Sequence, residues 1–166
     1  ISQGGTGHHY QQENLKDASK SGIEFINISP LKSDFIDEVK SEWIAARPNT
    51  DTALMLGIAH TLHVEGLSNK EFLKKYTEGF EKFLPYLLGE IDGIKKDANW
   101  AAEICNISPE KIKELARKLS SNRSMISVSW SLTRQDHGEQ PFWMAIMLAS
   151  MIGQIGLPGG GFGFEY

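Results

Sequence analysis

Three groups of residues in this sequence have the types and the placement to bind a nucleotide. They are Ile28 with Ser29, Asn49 with Thr50 and Asp51, and Trp130 with Ser131 and Arg134. Each group follows, or ends, a stretch that is predicted to be a strand. In open α/β sheets, ligands bind just beyond the carboxyl ends of the strands. If the strands are parallel and adjacent, we therefore expect the three groups to meet along one rim.

The side chains of these groups offer the contacts that a nucleotide needs. The hydroxyl of Ser29 could bond a ribose or a phosphate. The carboxylate of Asp51 could accept a pair of N–H bonds from the edge of guanine, which presents an amino donor. The guanidinium of Arg134 could stack on a flat heterocycle or donate to it in a fixed fork. An acid at a helix start argues against phosphate at that spot, because the charges would repel.

A simpler interpretation of each group stays open. Ser29 would end a strand in a turn before Pro30. Residues 49–51 are good helix N-cap types, so capping alone would explain them. Trp130 would be a core residue, and Arg134 would pair with an aspartate in a solvated loop. The residue types alone do not choose between these interpretations and nucleotide binding.

The alternation of strands and helices predicts an α/β fold with more helix than strand. Stretches rich in β-branched and aromatic residues predict strands at 23–28, 42–46 and 124–130. Helical stretches are predicted at 8–20, 31–40, 51–65, 69–88 with a possible break near Pro85, 98–105, 108–119 and 139–154. Strands separated by helices imply parallel strands joined by right-handed crossovers. Three strands would make one small parallel sheet.

Two of these helices and the end of the chain have particular signals. The helix at 51–65 is apolar on most sides and should be largely buried. Ser108 as N-cap and Pro109 at the first helical position open another helix. The glycine run at 157–161 is expected to end the regular structure.

Composition places the chain among ordinary globular proteins and narrows its partners. It has 166 residues, 40% of them hydrophobic and 23% charged, with a formal net charge of -4, which suits one domain with a single core. No basic tract stands out, so nucleic acid is not an expected partner. The longest apolar stretch, Phe142 to Ile152, is too short to span a bilayer. The single cysteine, Cys105, excludes a disulfide framework and any multi-cysteine metal site built from this chain.

Two further patterns could suggest a site but carry little weight. His60 and His63 lie i, i+3 on one helix, a spacing that can hold a metal, yet no third ligand is evident and packing is the favoured interpretation. Gly159-Gly160-Gly161 is not a dinucleotide fingerprint, because no strand precedes it and no helix follows. The absence of such a fingerprint after any strand argues against a small NAD(P)-dependent enzyme.

Both ends of the chain suggest a segment of something longer. The sequence starts at Ile1 and stops at Tyr166, soon after the glycine run. We expect residues 1–7 to be a flexible lead-in and residues 8–166 to be a fragment of a nucleotide-binding α/β domain. A compartment, whether periplasm or cytoplasm, cannot be assigned from these ends.

Long stretches of the chain resemble one enzyme family. Residues 42–62 read EWIAARPNTDTALMLGIAHTL, and residues 130–163 read WSLTRQDHGEQPFWMAIMLASMIGQIGLPGGGFG. The middle, residues 76–116, reads YTEGFEKFLPYLLGEIDGIKKDANWAAEICNISPEKIKELA and is similar to the same enzymes. They are the bis-molybdopterin oxidoreductases of the dimethyl sulfoxide, trimethylamine N-oxide and biotin sulfoxide reductase type. The resemblance runs from about His8 to Tyr166.

The resemblance implies a fold, a cofactor and a reaction. It implies a Rossmann-like α/β segment of a larger multidomain enzyme that holds molybdenum between two molybdopterin guanine dinucleotides. Such enzymes remove an oxygen atom from an S-oxide or N-oxide, here dimethyl sulfoxide, trimethylamine N-oxide or biotin sulfoxide. The resemblance also implies that the three residue groups contact the dinucleotides, with Asp51 on a guanine. The family often has Asp or Asn at the position of Ser29, so backbone groups would make the contact there.

The resemblance further implies what this chain lacks. The family's serine ligand to molybdenum lies in a region before this segment, so no catalytic residue and no metal ligand is expected here. The isolated chain is therefore expected to be inactive and to carry no cofactor. Its partners would be molybdopterin guanine dinucleotide, the rest of the parent chain and, for the parent, a small oxide substrate. The alternative is a stand-alone nucleotide-binding or interaction domain without redox chemistry, which natural start and stop codons flanking these residues would favour.

Overall fold

The computed structural model describes residues 11–164, so the lead-in predicted at residues 1–7 lies outside the described residues. The helices in this range are α1 Gln11–Lys20, α2 Asp51–Val64, α3 Lys70–Tyr76, α4 Phe80–Leu87, α5 Ala98–Cys105, α6 Pro109–Ser121 and α7 Gln140–Met151. The strands are β1 Phe25–Ile28, β2 Ser41–Ile44, β3 Met125–Val128 and β4 Gly161–Phe164. Short 3-10 turns cover Lys32–Asp34 and Trp130–Arg134. The helix-rich α/β class predicted from the sequence is confirmed.

The central helix is α2, and the other long helices pack around it. Every residue from Ala53 to Leu62 is buried, because the helix is apolar on most sides, as predicted. It packs against α5, α6 and α7. Gly57 lets α5 approach closely, since a Cβ built at Gly57 would lie 2.6 Å from the Cβ of Ala101. The core of the chain is therefore a helical layer rather than a sheet.

The strands pair in parallel, as predicted, but they form two sheets instead of one. β1 pairs with β2, with Ile28 opposite Ile44. β3 pairs with β4, with Met125 opposite Gly161, and within the described residues the two pairs share no strand. The expectation of a single three-stranded sheet is wrong, because β3 takes its partner from the glycine-rich end of the chain.

β4 is the strand that the sequence did not predict, since glycine is disfavoured in strands. The side chain of Gln154 forms a clamp of two hydrogen bonds that holds the segment before β3 close to the segment before β4. The Oε1 of Gln154 accepts the backbone N–H of Ser124 at 2.7 Å, and its Nε2 donates to the carbonyl of Asn122 at 2.7 Å. The N–H of Gly161, at φ +95°, then donates to the carbonyl of Ser124 at 3.1 Å. The glycine run therefore continues into a strand and does not end the regular structure.

Other predicted elements hold with local differences. The helical stretch predicted at 31–40 is wrong, because only one 3-10 turn forms there. The helix predicted at 69–88 breaks around Gly79, at φ +87°, rather than at Pro85, which lies inside α4. The predicted cap of α6 is confirmed, since the Oγ of Ser108 accepts the N–H of Lys111 at 3.2 Å. No helix in the described part of the chain is long and apolar enough to cross a membrane.

Candidate functional site

The first two predicted groups follow the carboxyl ends of the two strands of the β1–β2 sheet. β1 ends at Ile28 directly opposite Ile44, the last residue of β2. The N–H of Ser29 extends this ladder by donating to the carbonyl of Ile44 at 3.2 Å. Residues 45–50 then lead from β2 into α2, which begins at Asp51. The edge thus combines a strand end with the first turn of a buried helix, the placement typical of ligand sites in α/β sheets.

The polar groups of Ser29 are already used within this edge. Its hydroxyl donates to the carbonyl of Leu31 at 2.5 Å, and its own carbonyl accepts the indole N–H of Trp43 at 3.1 Å. The strand-end turn proposed as the simpler interpretation is therefore present. The Ser29 oxygen keeps its lone pairs, so it can still accept a hydrogen bond from a ligand but has no spare hydrogen to donate.

The turn before α2 holds Thr50 inside the protein and places Asn49 outside. The hydroxyl of Thr50 donates to the carbonyl of Arg47 at 2.6 Å, and only 8% of the residue is exposed. Asn49 is exposed and adopts the left-handed conformation, with φ +62°, which asparagine tolerates better than most residues. Thr50 is thus a structural residue of the turn.

Asp51 occupies the first position of α2 and is not its N-cap. The N-cap is Thr50, whose side chain makes no capping hydrogen bond. Burial raises the pKa of the Asp51 carboxyl above its ordinary value of 3.8, and a hydrogen bond from its own backbone N–H offsets this only in part. No cationic side chain of the described residues lowers that pKa. A half-buried carboxylate with no cationic partner among the described residues keeps acceptor capacity for a ligand.

The third predicted group follows β3, in the other sheet. Ser129 caps the 3-10 turn: its Oγ accepts the N–H of Ser131 at 3.3 Å and lies 2.9 Å from the Ser131 hydroxyl. Trp130 is 64% exposed, which contradicts a core role for its indole. Because β3 does not pair with β1 or β2, the rim expected to join all three groups along one sheet is not formed by the described residues.

Arg134 ends this turn with an exposed, uncommitted guanidinium. The aspartate–arginine pair considered for this loop does not form, because Asp136 lies 3.8 Å from the imidazole of His137 instead. Within residues 11–164, Arg134 makes no ion pair. An exposed planar cation can contact the face or the edge of a heterocycle.

Gly138 is a residue that the sequence analysis missed. A Cβ at this position would lie 2.6 Å from the carbonyl oxygens of both Leu132 and Thr133, so only glycine lets the loop fold back on the 3-10 turn. His137, at φ +54°, makes the reversal that precedes it. The His-Gly dipeptide is a possible turn signal, but its function in shaping the third group depends on tertiary contact.

The histidines within residues 11–164 and the cysteine do not gather into a three-ligand metal cluster. Among the described residues, no group of three His, Cys, Asp or Glu side chains lies close enough to hold a metal ion. His60 is buried in α2, its Nε2 has no hydrogen-bond partner among the described residues, and burial lowers its pKa. The packing interpretation of His60 is confirmed. Cys105 is fully buried, as predicted.

Comparisons with known proteins agree on one enzyme family. The family model described as molybdopterin oxidoreductase matches residues 7–166. The dimethyl sulfoxide/trimethylamine N-oxide reductase of Cereibacter sphaeroides is 49% identical over 158 residues, covering 95% of this chain and 19% of that protein. The trimethylamine-N-oxide reductase of Haemophilus influenzae is 52% identical, covering 93% of this chain and 19% of that protein. The biotin sulfoxide reductase of Cereibacter sphaeroides is 50% identical, with 98% and 22% covered.

The fold agrees with these sequence matches. The acetylene hydratase from Pelobacter acetylenicus superposes with a TM-score of 0.73 at 25% identity, covering 88% of this chain and 19% of that one. The chain therefore spans about a fifth of the length of the relatives that it matches. The family implies a cofactor of molybdenum and pterin. Because the family model matches nearly the whole sequence, this chain belongs to the molybdopterin oxidoreductases.

Proposed function

We propose that this chain is the guanine-dinucleotide-binding part of a molybdenum-dependent S-oxide or N-oxide reductase, with the cofactor in its bis(molybdopterin guanine dinucleotide) form. The observation that supports it most is the Asp51 carboxylate, which is half-buried in the first turn of α2, after the end of β2, and has no cationic partner among the described residues. Guanine offers two adjacent N–H donors on one edge, which match the two oxygens of a carboxylate. Adenine offers no such pair.

The other residues of the edge would position the same ligand. The backbone of Ile28 and Ser29 lies at the strand end, and the exposed amide of Asn49 stands at the apex of the neighbouring turn. Trp130 and Arg134 would contact a flat part of the cofactor, and Ser131 would support their turn. No proton-transfer or metal-binding role falls to any of them.

The chemistry that the cofactor supplies, when bound, is removal of an oxygen atom from the oxide, giving the reduced product and water at the expense of two electrons and two protons. The residues of this chain would contribute binding and orientation to that reaction. The rest of the parent chain would supply the metal ligand. Dimethyl sulfoxide, trimethylamine N-oxide and biotin sulfoxide are the substrates named in the relatives, and the parent would act on an oxide of this class.

The isolated chain should therefore show no reductase activity. Its residues would hold the nucleotide end of the cofactor, and the family's serine ligand to molybdenum is expected in a region before this segment. We expect oxidation of a reduced viologen dye by each of the three oxides, after incubation with released cofactor, to match a heat-denatured control. Turnover clearly above that control would place the reacting centre within this chain and contradict the proposal.

The guanine assignment is tested by titrating the isolated chain with GDP and, separately, with ADP. We expect weak binding, because only part of the cofactor site is present, and a clear preference for GDP. Amide shifts in a two-dimensional NMR spectrum should concentrate at 28–29 and 49–52. Equal responses to GDP and ADP, or shifts confined to other regions, would refute guanine recognition at this edge.

A further inference from the structure

The turn that presents Asp51 is closed by a cycle of three hydrogen bonds. The N–H of Arg47 donates to the backbone carbonyl of Cys105 at 3.0 Å. The Sγ of Cys105 donates to the carbonyl of Thr50 at 3.4 Å, and the hydroxyl of Thr50 returns to the carbonyl of Arg47 at 2.6 Å. The cycle links the turn to a residue that lies 55 positions later than Thr50 in the chain. No contact within the turn itself could fix its position relative to α5.

The residue at the centre of this cycle is rigidly held. Cys105 is the last residue of α5 and is fully buried. Asn106 follows it in the left-handed conformation, at φ +60°, and its N–H donates to the carbonyl of Ala102 at 2.9 Å. The last turn of α5 is therefore closed, and the carbonyl of Cys105 remains available for the N–H of Arg47.

The thiol of Cys105 is suited to this contact and to no chemistry of its own. Burial, and to a smaller extent the nearby Asp51 carboxylate, raises the pKa of the thiol, so it stays protonated and can donate. A buried, protonated thiol is a poor nucleophile and a poor metal ligand. The thiol also bonds the carbonyl of Thr50, the residue directly before the one proposed to bind guanine.

We infer that Cys105 is a positioning residue for nucleotide binding: by joining Arg47 and Thr50 to the end of α5, it fixes where Asp51 stands relative to the strand end at Ile28. This inference rests on the proposed function of Asp51. Cys105 itself does not contact the ligand. The alternative is that Cys105 is only a small packing residue of the core, as a buried cysteine often is.

A matched set of variants separates the two roles. Cys105→Ala removes the thiol hydrogen bond, whereas Cys105→Ser keeps a donor of similar size. Ile152→Val is the control for general loss of packing, because it removes a buried methyl group at the end of α7, where the carbonyl of Met151 accepts the backbone N–H of Asn69 at 2.7 Å. Thr50→Val removes the hydroxyl that donates to the carbonyl of Arg47, and so breaks another bond of the cycle. Thr50→Ser keeps that hydroxyl.

The measurements are GDP affinity by NMR titration, hydrogen exchange of the Arg47 amide, and thermal unfolding. We expect Cys105→Ala and Thr50→Val to weaken GDP binding about two- to tenfold, the range that a single hydrogen bond supports. Exchange at Arg47 should become faster in the same variants. Cys105→Ser and Thr50→Ser should recover most of both effects, and Ile152→Val should change neither, even where it lowers the melting temperature as much.

Failure of this inference can be told from failure of the proposed function. If the unmodified chain prefers GDP over ADP but Cys105→Ala binds GDP as tightly as Ile152→Val does, Cys105 is a packing residue and the inference is overturned. If the unmodified chain does not bind GDP, the proposed recognition of guanine by Asp51 is wrong. Exchange at Arg47 then still decides whether Cys105 fixes the turn, since unchanged exchange in Cys105→Ala would overturn that claim without any ligand.

Discussion

Asp51→Asn is expected to abolish the preference for GDP over ADP while leaving the ligand-free chain at least as stable as the wild type at neutral pH. Asparagine keeps the shape of the side chain but turns one acceptor oxygen into a donor, which would face a guanine N–H. A hydrogen bond to a charged group contributes about 1.5–3 kcal/mol. The loss of one such bond therefore corresponds to a fall in affinity of roughly tenfold or more.

The stability half of this prediction follows from the raised pKa of Asp51. A carboxyl whose pKa is higher in the folded state than its unfolded value of 3.8 favours folding fully only below pH 3.8, and this contribution is lost as the pH rises through the folded pKa. At neutral pH the wild type carries the full cost of a charged, half-buried group. Asp51→Asn removes that cost, so its advantage in unfolding temperature should be present at neutral pH and vanish below pH 3.8.

Asp51→Ala is the second variant of the set, and it separates charge from shape. It should also lose the GDP preference, since no acceptor remains. In a longer protein that contains this region, both variants should retain less molybdenum and less guanine nucleotide per protein molecule than the wild type. If Asp51→Asn keeps the full GDP preference, or if both variants lose binding only in step with melting temperature, Asp51 does not recognise guanine.

Gly57→Ala should destabilise the chain by about 1–3 kcal/mol, the usual cost of overpacking a core. On helix propensity alone the change would stabilise α2, because alanine is about 1 kcal/mol better than glycine inside a helix. The new Cβ, however, would stand 2.6 Å from the Cβ of Ala101 and 3.2 Å from the Cγ2 of Ile112. The contact between α2 and α5 must then loosen. The packing cost is expected to outweigh the gain in helix propensity, so the variant should be less stable than the wild type.

Urea unfolding of Gly57→Ala, Ala101→Gly and the double variant measures this effect. In the double variant the clashing Cβ of residue 101 is absent, so the cost should be smaller than the sum of the two single costs. A Gly57→Ala chain that is as stable as the wild type would mean that α5 can shift without penalty. Since α5 ends at Cys105, such a shift should also be visible as faster exchange at Arg47.

The elements that follow from local patterns were predictable, whereas those that depend on distant partners were not. α2 and α5 match their predictions within a residue, because α2 begins at the acidic Asp51, α5 follows the capping residue Asp97, and both carry mostly apolar residues. β4 was missed, since its glycines carry no strand signal and its pairing depends on the Gln154 clamp. The two-sheet arrangement follows from that same strand, so it was hidden for the same reason.

The same distinction between local patterns and distant partners applies to the candidate site. That Ser29 and Asp51 would lie at one edge follows from two adjacent parallel strands, which the sequence indicates. The sequence does not reveal that the hydroxyl of Thr50 is turned inward or that Asp51 has no cationic partner among the described residues. The turn that holds Thr50 contacts Cys105, which is remote in the chain. Whether the group around Trp130 completes the same cofactor site stays a prediction.

The position of this edge, between the β1–β2 sheet and the first turn of α2, has a thermodynamic consequence. A ligand that touches both the strand end at Ile28 and the carboxylate of Asp51 connects the small sheet to the helical core across residues 45–50. Any molecule that binds only the folded chain adds RT ln(1 + [L]/Kd) to its unfolding free energy, about 2.7 kcal/mol at a ligand concentration of 100 Kd. Nucleotide binding should therefore also stabilise the sheet against the helical core. A thermal unfolding curve would measure the two effects together.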